Sequence, residues 1–132
     1  MQKTANTIFE LADYLKKKPV YINGENEIAR KKVNTALRNH IVYRREGAGD
    51  VLIQNAKSGL SGTFIRFMID NETFSAKSKL LGLHNVGPLA VAADIAHRLG
   101  LDRKQIEEGI GKTRAFSHRM EAKEDKSGVI TI

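Results

Sequence analysis

Apolar residues recur along the first part of this sequence with spacings that predict alternating helices and strands. Residues 4–17 have a helical period, which Pro19 ends. The apolar positions of this helix are Ile8, Leu11, Ala12 and Leu15. Residues 20–23 and 40–44 are short apolar runs typical of buried strands, and residues 24–39 between them have a helical period. Because the connections are brief, this order predicts a right-handed crossover between two parallel strands.

A glycine-rich turn, EGAGD at residues 46–50, interrupts this pattern. After it, residues 51–55, 62–70 and 74–80 alternate or run apolar, and the turn-forming stretches KSGLSG and DNET separate them. We predict an antiparallel meander of three strands. Since the glycine-rich break changes the pattern from crossover to meander, we expect this meander to form a sheet distinct from the one that contains residues 20–23.

From Leu83 onward the spacing is helical again. The inward stripe of this helix consists of Val86, Leu89, Ala90, Ala93, Ala96 and His97. Ala93 is expected to be buried and Ile95, on another side of the helix, exposed. Gly100 ends the helix, and Asp102 caps a shorter one that faces inward through Ile106 and Ile110.

The fold class that these elements predict is α/β, with short parallel strands and helices plus a small antiparallel three-stranded sheet. One unit spans residues 1–132, with a strand-helix-strand part at 1–45, the meander at 50–80, and closing helices with the start of a last strand at 83–132. The apolar residues 129–132 would form that strand. Because the sequence starts in a helix and stops in a strand that needs a sheet partner, we expect it to be part of something larger.

The composition of the sequence excludes several classes of protein and of functional site. The 132 residues suit one domain, and 41% hydrophobic with 28% charged residues is ordinary globular usage. The absence of cysteine removes disulfides, thiolate nucleophiles and cysteine-based zinc sites. No apolar run approaches the roughly 20 residues that span a bilayer, and no signal peptide is visible, so we expect a cytoplasmic protein with no membrane partner.

The net charge of +7 favours an anionic partner, but the basic residues are scattered over different predicted elements. Few aromatic residues lie near them to stack on bases, so nucleic-acid binding is a minority interpretation. The histidines His40, His84, His97 and His118 show no spacing that would place two on one helix face for zinc, and His97 is interpreted as a packing residue. The stretch GIGKT at residues 109–113 imitates a phosphate loop but closes a helix instead of opening one. We assign no catalytic residue and no metal ligand.

Two polar clusters remain, GLHN at residues 82–85 and SHRME at residues 117–121. With their surroundings, LLGLHNV, LAVAADIAHRLGL, QIEEGI and HRMEA, they resemble the Mur ligases, the ATP-dependent amide-forming enzymes of peptidoglycan precursor synthesis. The resemblance covers residues 80–132 and extends more loosely upstream. It is strongest to the member that adds D-alanyl-D-alanine to the muramoyl tripeptide.

The resemblance implies that the chain is the C-terminal half of the central, ATP-binding domain of such a ligase. The intact enzyme would convert a carboxylate into an acyl phosphate with ATP and let an amine displace the phosphate. Its partners would be the nucleotide, a UDP-muramoyl peptide and an amino acid or dipeptide. Its cofactors would be ATP and magnesium, with the phosphate loop and the magnesium ligands outside this chain, so that the isolated chain is expected to be inactive.

Carried over to this sequence, the resemblance places His84 and Asn85 beside the adenine and Arg119 on the phosphates. An asparagine can donate to and accept from the edge of adenine, and a guanidinium can fork onto phosphate oxygens. Asn85 could instead cap the helix that starts near Val86, and His118 could do no more than pack its loop. Pro88 stands where many members have a second asparagine that contacts adenine. Two alternatives to a ligase fragment are a freestanding, non-catalytic nucleotide-binding or regulatory module and, less favoured, a basic nucleic-acid-binding adaptor.

Overall fold

A mixed five-stranded sheet organises the part of the chain that the structure describes. In this computed structural model the described residues are 6–7, 9–10, 14, 18–36, 40–45, 47–116, 123–124 and 130–131, without the side chains of 33–36, 123–124 and 130–131. The strands follow one another across the sheet in chain order, β1 to β5. The α/β fold class predicted from the sequence is confirmed.

The first two strands are parallel and a helix connects them, as predicted. Strand β1, Val20–Asn23, lies beside β2, His40–Arg44, in a register that pairs Asn23 with Tyr43. Helix α1, Glu27–Ala36, begins later than the sequence pattern indicated. The side chain of Asn26 accepts a hydrogen bond of 2.9 Å from the backbone N–H of Ala29, which satisfies one of the free donors at the start of the helix.

The meander consists of β3, Val51–Gly59, β4, Gly62–Ile69, and β5, Glu72–Ser78, paired antiparallel. The prediction that it forms a separate sheet is wrong, because β3 also pairs in parallel with β2. The pairing is short, with Tyr43 opposite Val51 and Arg44 opposite Leu52. Parallel neighbours normally need a long crossover to bring the chain back to the start of the strand. Here β3 starts beside the end of β2, so a short glycine-rich turn is sufficient.

One face of the meander forms the core with the two helices that follow it. The 3₁₀ turn Leu83–Asn85 leads into α2, Val86–Arg98, and α3, Arg103–Lys112, comes next. Phe67 and Phe74 stack with their ring centroids 5.3 Å apart. The core cluster comprises Ile41, Val51, Ile53, Ile65, Phe67, Ile69, Phe74, Ala76, Val86, Leu89, Ala90, Ala93, Ile106 and Ile110.

The predicted details of the two helices are confirmed. Ala93 is 2% exposed and Ile95 is 44% exposed, as their positions on opposite sides of α2 require. Gly100 has φ 88°, a left-handed conformation that suits glycine just past a helix end. His97 packs edge-on against Phe74 with the ring centroids 5.8 Å apart, and is half-buried as expected of a packing residue.

The chain ends are described only in part. Five residues of the predicted first helix, Asn6, Thr7, Phe9, Glu10 and Tyr14, have helical backbone. Strand β6, Lys123–Glu124, pairs antiparallel with β7, Ile130–Thr131, which falls inside the strand predicted at 129–132. The other residues of the predicted first helix and last strand lie outside the described residues. Among the described helices, none has both the length and the apolar character to cross a membrane.

Candidate functional site

A pocket of about 240 Å³ opens where the carboxyl ends of the parallel strands meet the start of α2. Ligands of open α/β sheets bind outside the carboxyl ends of the strands, so the position alone makes this pocket the candidate site. The sheet contributes Asn23, Glu25, Tyr43, Arg44, Arg45 and Ile53. The helix side contributes Leu83, His84, Val86, Gly87 and Pro88.

The loop that carries His84 is held by hydrogen bonds to the β3–β4 hairpin. The backbone N–H of Gly82 donates to the hydroxyl of Ser58 at 2.7 Å, and that hydroxyl is also 2.9 Å from the hydroxyl of Thr63. Gly82 has φ 95°, and a β-carbon at this residue would lie 2.5 Å from Cε1 of His84. The imidazole of His84 therefore lies over Gly82. A larger residue here would displace the ring and adopt a strained backbone conformation.

His84 lines the pocket, whereas the side chain of Asn85 is directed elsewhere. The amide nitrogen of Asn85 donates to the carbonyl oxygen of Leu81 at 2.7 Å, and it lies 3.1 Å from Nε2 of His84. Asn85 does precede the first residue of α2, but its side chain makes no capping hydrogen bond, so the alternative that it caps this helix is wrong. Its amide instead fixes the loop on which His84 stands.

A basic wall, made by Arg44 and Arg45 at the end of β2, faces the loop of His84. Glu25 lies near both residues: its Oε1 accepts from the backbone N–H of Arg45 at 2.9 Å and lies 4.0 Å from Nε of Arg44. Arg44 donates to the carbonyl oxygen of Ala48 at 3.3 Å, while its Nε is buried and makes no hydrogen bond within the described structure. The guanidinium is thus held in place with one donor unsatisfied. The sequence pattern assigned neither arginine to a site. The available signal was their position at the carboxyl end of a predicted parallel strand, where Arg44 is the last residue and Arg45 follows it.

Tyr43 forms the contact between the sheet and the first turn of α2. A β-carbon at Gly87 would lie 2.8 Å from Cε2 of Tyr43, so glycine lets the helix approach the ring closely. Burial raises the pKa of Tyr43 above its ordinary value, and the phenol stays neutral at physiological pH. Pro88 lies in the same turn, where its missing N–H costs no helical hydrogen bond.

Comparison with known proteins supports the resemblance seen in the sequence. The chain is 32% identical over 112 residues to the UDP-N-acetylmuramate–L-alanine ligase of Endomicrobium trichonymphae, covering 84% of this chain and 25% of that protein. The chain is homologous to part of a Mur ligase. No protein-family model matches the sequence.

Solved Mur ligase structures share the fold. MurF from Acinetobacter baumannii superposes with a TM-score of 0.68 at 14% identity, over 83% of this chain and 24% of that one. MurF from Thermotoga maritima, solved in complex with ADP, gives 0.64 at 17% identity, over 82% and 25%. A UDP-N-acetylmuramoyl-L-alanyl-D-glutamate–2,6-diaminopimelate ligase gives 0.68 at 23% identity, over 83% and 24%. The chain thus spans about a quarter of the length of the Mur ligases that it matches.

Neither the phosphate-binding arginine nor a metal site that the Mur ligase resemblance implies is found in this pocket among the described residues. Arg119, the predicted phosphate contact, and His118 both lie outside the described residues. Within the described ranges, no group of three His, Asp or Glu side chains is arranged to hold a metal ion. Among the described residues, the chemistry of the pocket rests on His84, Arg44 and the start of α2.

Proposed function

We propose that this chain is the C-terminal half of the ATP-binding domain of a peptidoglycan-precursor ligase, and that its pocket receives the adenine end of ATP. The observation that carries the proposal is the position of His84. The imidazole lies on a loop fixed by Ser58 and Asn85, and it faces the carboxyl ends of two parallel strands. The homology to a UDP-N-acetylmuramate–L-alanine ligase and the ADP complex of a structural neighbour support it.

The size of the pocket fits a base better than a whole nucleotide. Pockets that enclose a drug-sized ligand typically have about 300 to 1,000 Å³, and this one has about 240 Å³. Tyr43 and Ile53 offer apolar surface at one side, and His84 offers a ring and a polar nitrogen at the other. A flat heteroaromatic ring suits this combination, because it buries apolar faces while its edge forms hydrogen bonds.

The charges at the rim favour the phosphates that follow the base. Arg44 and Arg45 lie at the pocket, and the start of α2 adds the positive end of a helix dipole. Glu25 offsets part of this charge, which leaves a modest net attraction for an anion. Arg119 is proposed to approach the phosphates as well. In the intact ligase these cations would stabilise negative charge while a carboxylate becomes an acyl phosphate, which an amine then attacks.

The identity of the amine that the intact enzyme uses is a second, more specific proposal. The stretch LLGLHNV, together with the meander before it, favours the member that adds D-alanyl-D-alanine to a muramoyl tripeptide. The curated relative is instead named as an L-alanine ligase. An assay of the intact parent enzyme with D-alanyl-D-alanine and with L-alanine, each beside the matching UDP-muramoyl acceptor, separates the two. Amide formation with L-alanine alone would contradict the D-alanyl-D-alanine assignment.

The nucleotide proposal is tested by titrating the ¹⁵N-labelled chain with Mg-ATP while phosphate release is followed. We expect a dissociation constant that is roughly millimolar or weaker, since the sequence has no glycine-rich phosphate loop to cradle the triphosphate. Backbone shifts should cluster at Tyr43, Arg44 and His84, and no phosphate should be released. His84→Ala should weaken binding several-fold, whereas the control His40→Gln, at the opposite end of β2, should not.

Three results would overturn the proposal. Micromolar affinity or turnover by the chain alone would contradict the weak, incomplete site. Shifts confined to other surfaces would show that ATP is attracted only as an anion. Equal binding by His84→Ala and the unsubstituted chain would remove the residue on which the assignment depends.

A further inference from the structure

The meander has a second face, called here the outer face, that is directed away from α2 and α3. Both helices pack on the opposite side, where their buried residues join Ile65, Phe67 and Phe74 in one core. Strand register places the outer-face residues in three cross-strand rows. The rows are Lys57–Phe64–Lys77, Asn55–Arg66–Ser75 and Leu52–Met68–Thr73.

The outer face carries positive charge and no negative charge. Lys57, Arg66 and Lys77 are all exposed, and none of the nine positions in the three rows is acidic. The carboxylates of Asp70 and Glu72 are directed to the other face, where they lie 3.7 and 3.9 Å from the nitrogens of His97. Neither Lys57 nor Arg66 forms an ion pair within the described structure, so their charge is available to a partner.

Apolar side chains lie among these cations. Phe64 stands directly between the two lysines of its row, and Leu52 and Met68 are neighbours in another row. All three are half-buried, so part of their apolar surface faces solvent. Gln54 reaches across from the β3 bulge to within 3.9 Å of the sulfur of Met68. The face therefore combines three cations in two rows with adaptable apolar side chains in the first and third rows.

The free edge of the sheet beside this face is blocked. Oε1 of Glu107 on α3 accepts a hydrogen bond of 2.8 Å from the backbone N–H of Ser75 in the edge strand β5, and Nε of Arg103 lies 3.1 Å from the same oxygen. A partner strand that added to β5 would have to displace this carboxylate. A partner is consequently directed onto the outer face and not onto its edge.

We infer that the outer face binds an acidic peptide segment in which glutamates or aspartates flank an apolar side chain. Lys57 and Lys77, which flank Phe64, and Arg66, in the row between Phe64 and Met68, complement that chemistry in charge. Phe64 and Met68 complement its apolar part. A single-stranded nucleic acid would satisfy the charge, but successive bases need successive stacking rings, and Phe64 is the single aromatic residue in the three rows. None of the nine outer-face residues lines the pocket of His84, although Leu52 pairs with Arg44 of that pocket.

Fluorescence polarisation of the chain with a labelled peptide tests the inference. In the peptide, pairs of glutamates flank single leucine and phenylalanine residues. Binding should weaken by about tenfold in Arg66→Glu, because one attraction becomes a repulsion, and should weaken with added salt. The matched control Lys104→Glu reverses one exposed charge on α3 and should change binding by less than about twofold.

Two further measurements test the apolar part and the class of partner. Phe64→Thr keeps a residue suited to strands and should weaken the peptide several-fold, and far-ultraviolet circular dichroism confirms that each variant is folded. A peptide of glutamates alone should bind less well than the mixed peptide. The inference is overturned by absence of binding, by equal binding of the all-glutamate peptide, by equal losses in Arg66→Glu and Lys104→Glu, or by an oligothymidylate that binds more tightly than the peptide.

Discussion

The phenolic hydroxyl of Tyr21 donates a hydrogen bond of 2.6 Å to Oδ2 of Asp94, a carboxylate with no exposed surface. The same oxygen accepts from Nε of Arg98, one turn later in α2, also at 2.6 Å. Oδ1 of Asp94 is buried without a hydrogen-bond partner in the described structure. The contact therefore ties β1, an end strand of the five-stranded sheet, to the helix that carries one side of the pocket.

Removing this hydroxyl should destabilise the fold. We expect Tyr21→Phe to lower the free energy of unfolding by about 1 to 3 kcal/mol, because it removes a hydrogen bond to a buried charged group. Tyr43→Phe is the matched control on the adjacent strand. Burial alone raises the pKa of Tyr43, without a contribution from a hydrogen bond to its hydroxyl. It should cost less than about 0.5 kcal/mol. Urea denaturation measures both, and equal losses would show that the contact with Asp94 adds nothing.

The same contact predicts how stability depends on pH. Burial, followed by the hydrogen bond to Asp94 and the charge of Asp94, raises the pKa of Tyr21 from 10.0 to about 12. A raised pKa means that the folded state holds the phenolic proton more tightly than the unfolded state does. Its contribution is complete below pH 10 and is lost as the pH rises through about 12. Denaturation at a series of pH values should show a steeper loss in this window for the unsubstituted chain than for Tyr21→Phe.

Asp94→Asn separates the causes of that shift. Removing the negative charge should lower the pKa of Tyr21, but burial is the largest cause, so the pKa should stay above 10. Titration of the tyrosine ring carbons by NMR reports the value directly. A pKa unchanged from that of the unsubstituted chain would refute the role of the carboxylate.

Two glycines should respond to alanine in opposite directions. Gly82→Ala places a β-carbon against the ring of His84 in a backbone conformation that side chains rarely adopt, and should cost about 1 to 3 kcal/mol. Gly109 lies inside α3 with open space around it, so Gly109→Ala should stabilise the chain by about 0.5 to 1 kcal/mol. Thermal unfolding with a ¹⁵N spectrum of each variant is the measurement. A stabilising Gly82→Ala would mean that the loop under His84 is free to rearrange.

The start of α3 offers a test of local stabilisation. The side chain of Asp102 accepts a hydrogen bond of 2.8 Å from the backbone N–H of Gln105, and the side chain of Gln105 accepts one of 2.9 Å from the backbone N–H of Asp102. Asp102→Ala should lower the free energy of unfolding by about 1 kcal/mol, since this capping box satisfies two free donors. Asp102→Ser should retain most of the stability. A loss as large in the serine variant as in the alanine variant would argue against the capping hydrogen bond.

Local spacing in the sequence determined most of the secondary structure. The boundaries of β1 and β2, the inward stripe of α2 with Ala93 buried and Ile95 exposed, and the cap at Asp102 all depend on interactions within a few residues, which a pattern records. The structure places His84 at the pocket. The assignment of His84, Asn85 and Arg119 to a nucleotide, which came from the family resemblance, stays a prediction.

The tertiary structure alone decided which elements share a sheet and which polar groups meet. The spacing of residues 46–50 marks a turn, but only the stagger of β3 against the end of β2 makes the two strand sets one sheet. Arg44 reaches the pocket because β2 ends beside the start of α2. The buried carboxylate of Asp94 accepts a hydrogen bond from the hydroxyl of Tyr21, which lies 73 residues away in the sequence and on another element. The spacing of residues in the sequence shows which side chains lie on the same face of one helix or strand. Pairing between elements depends on how their surfaces pack, and the spacing within one element does not determine this packing.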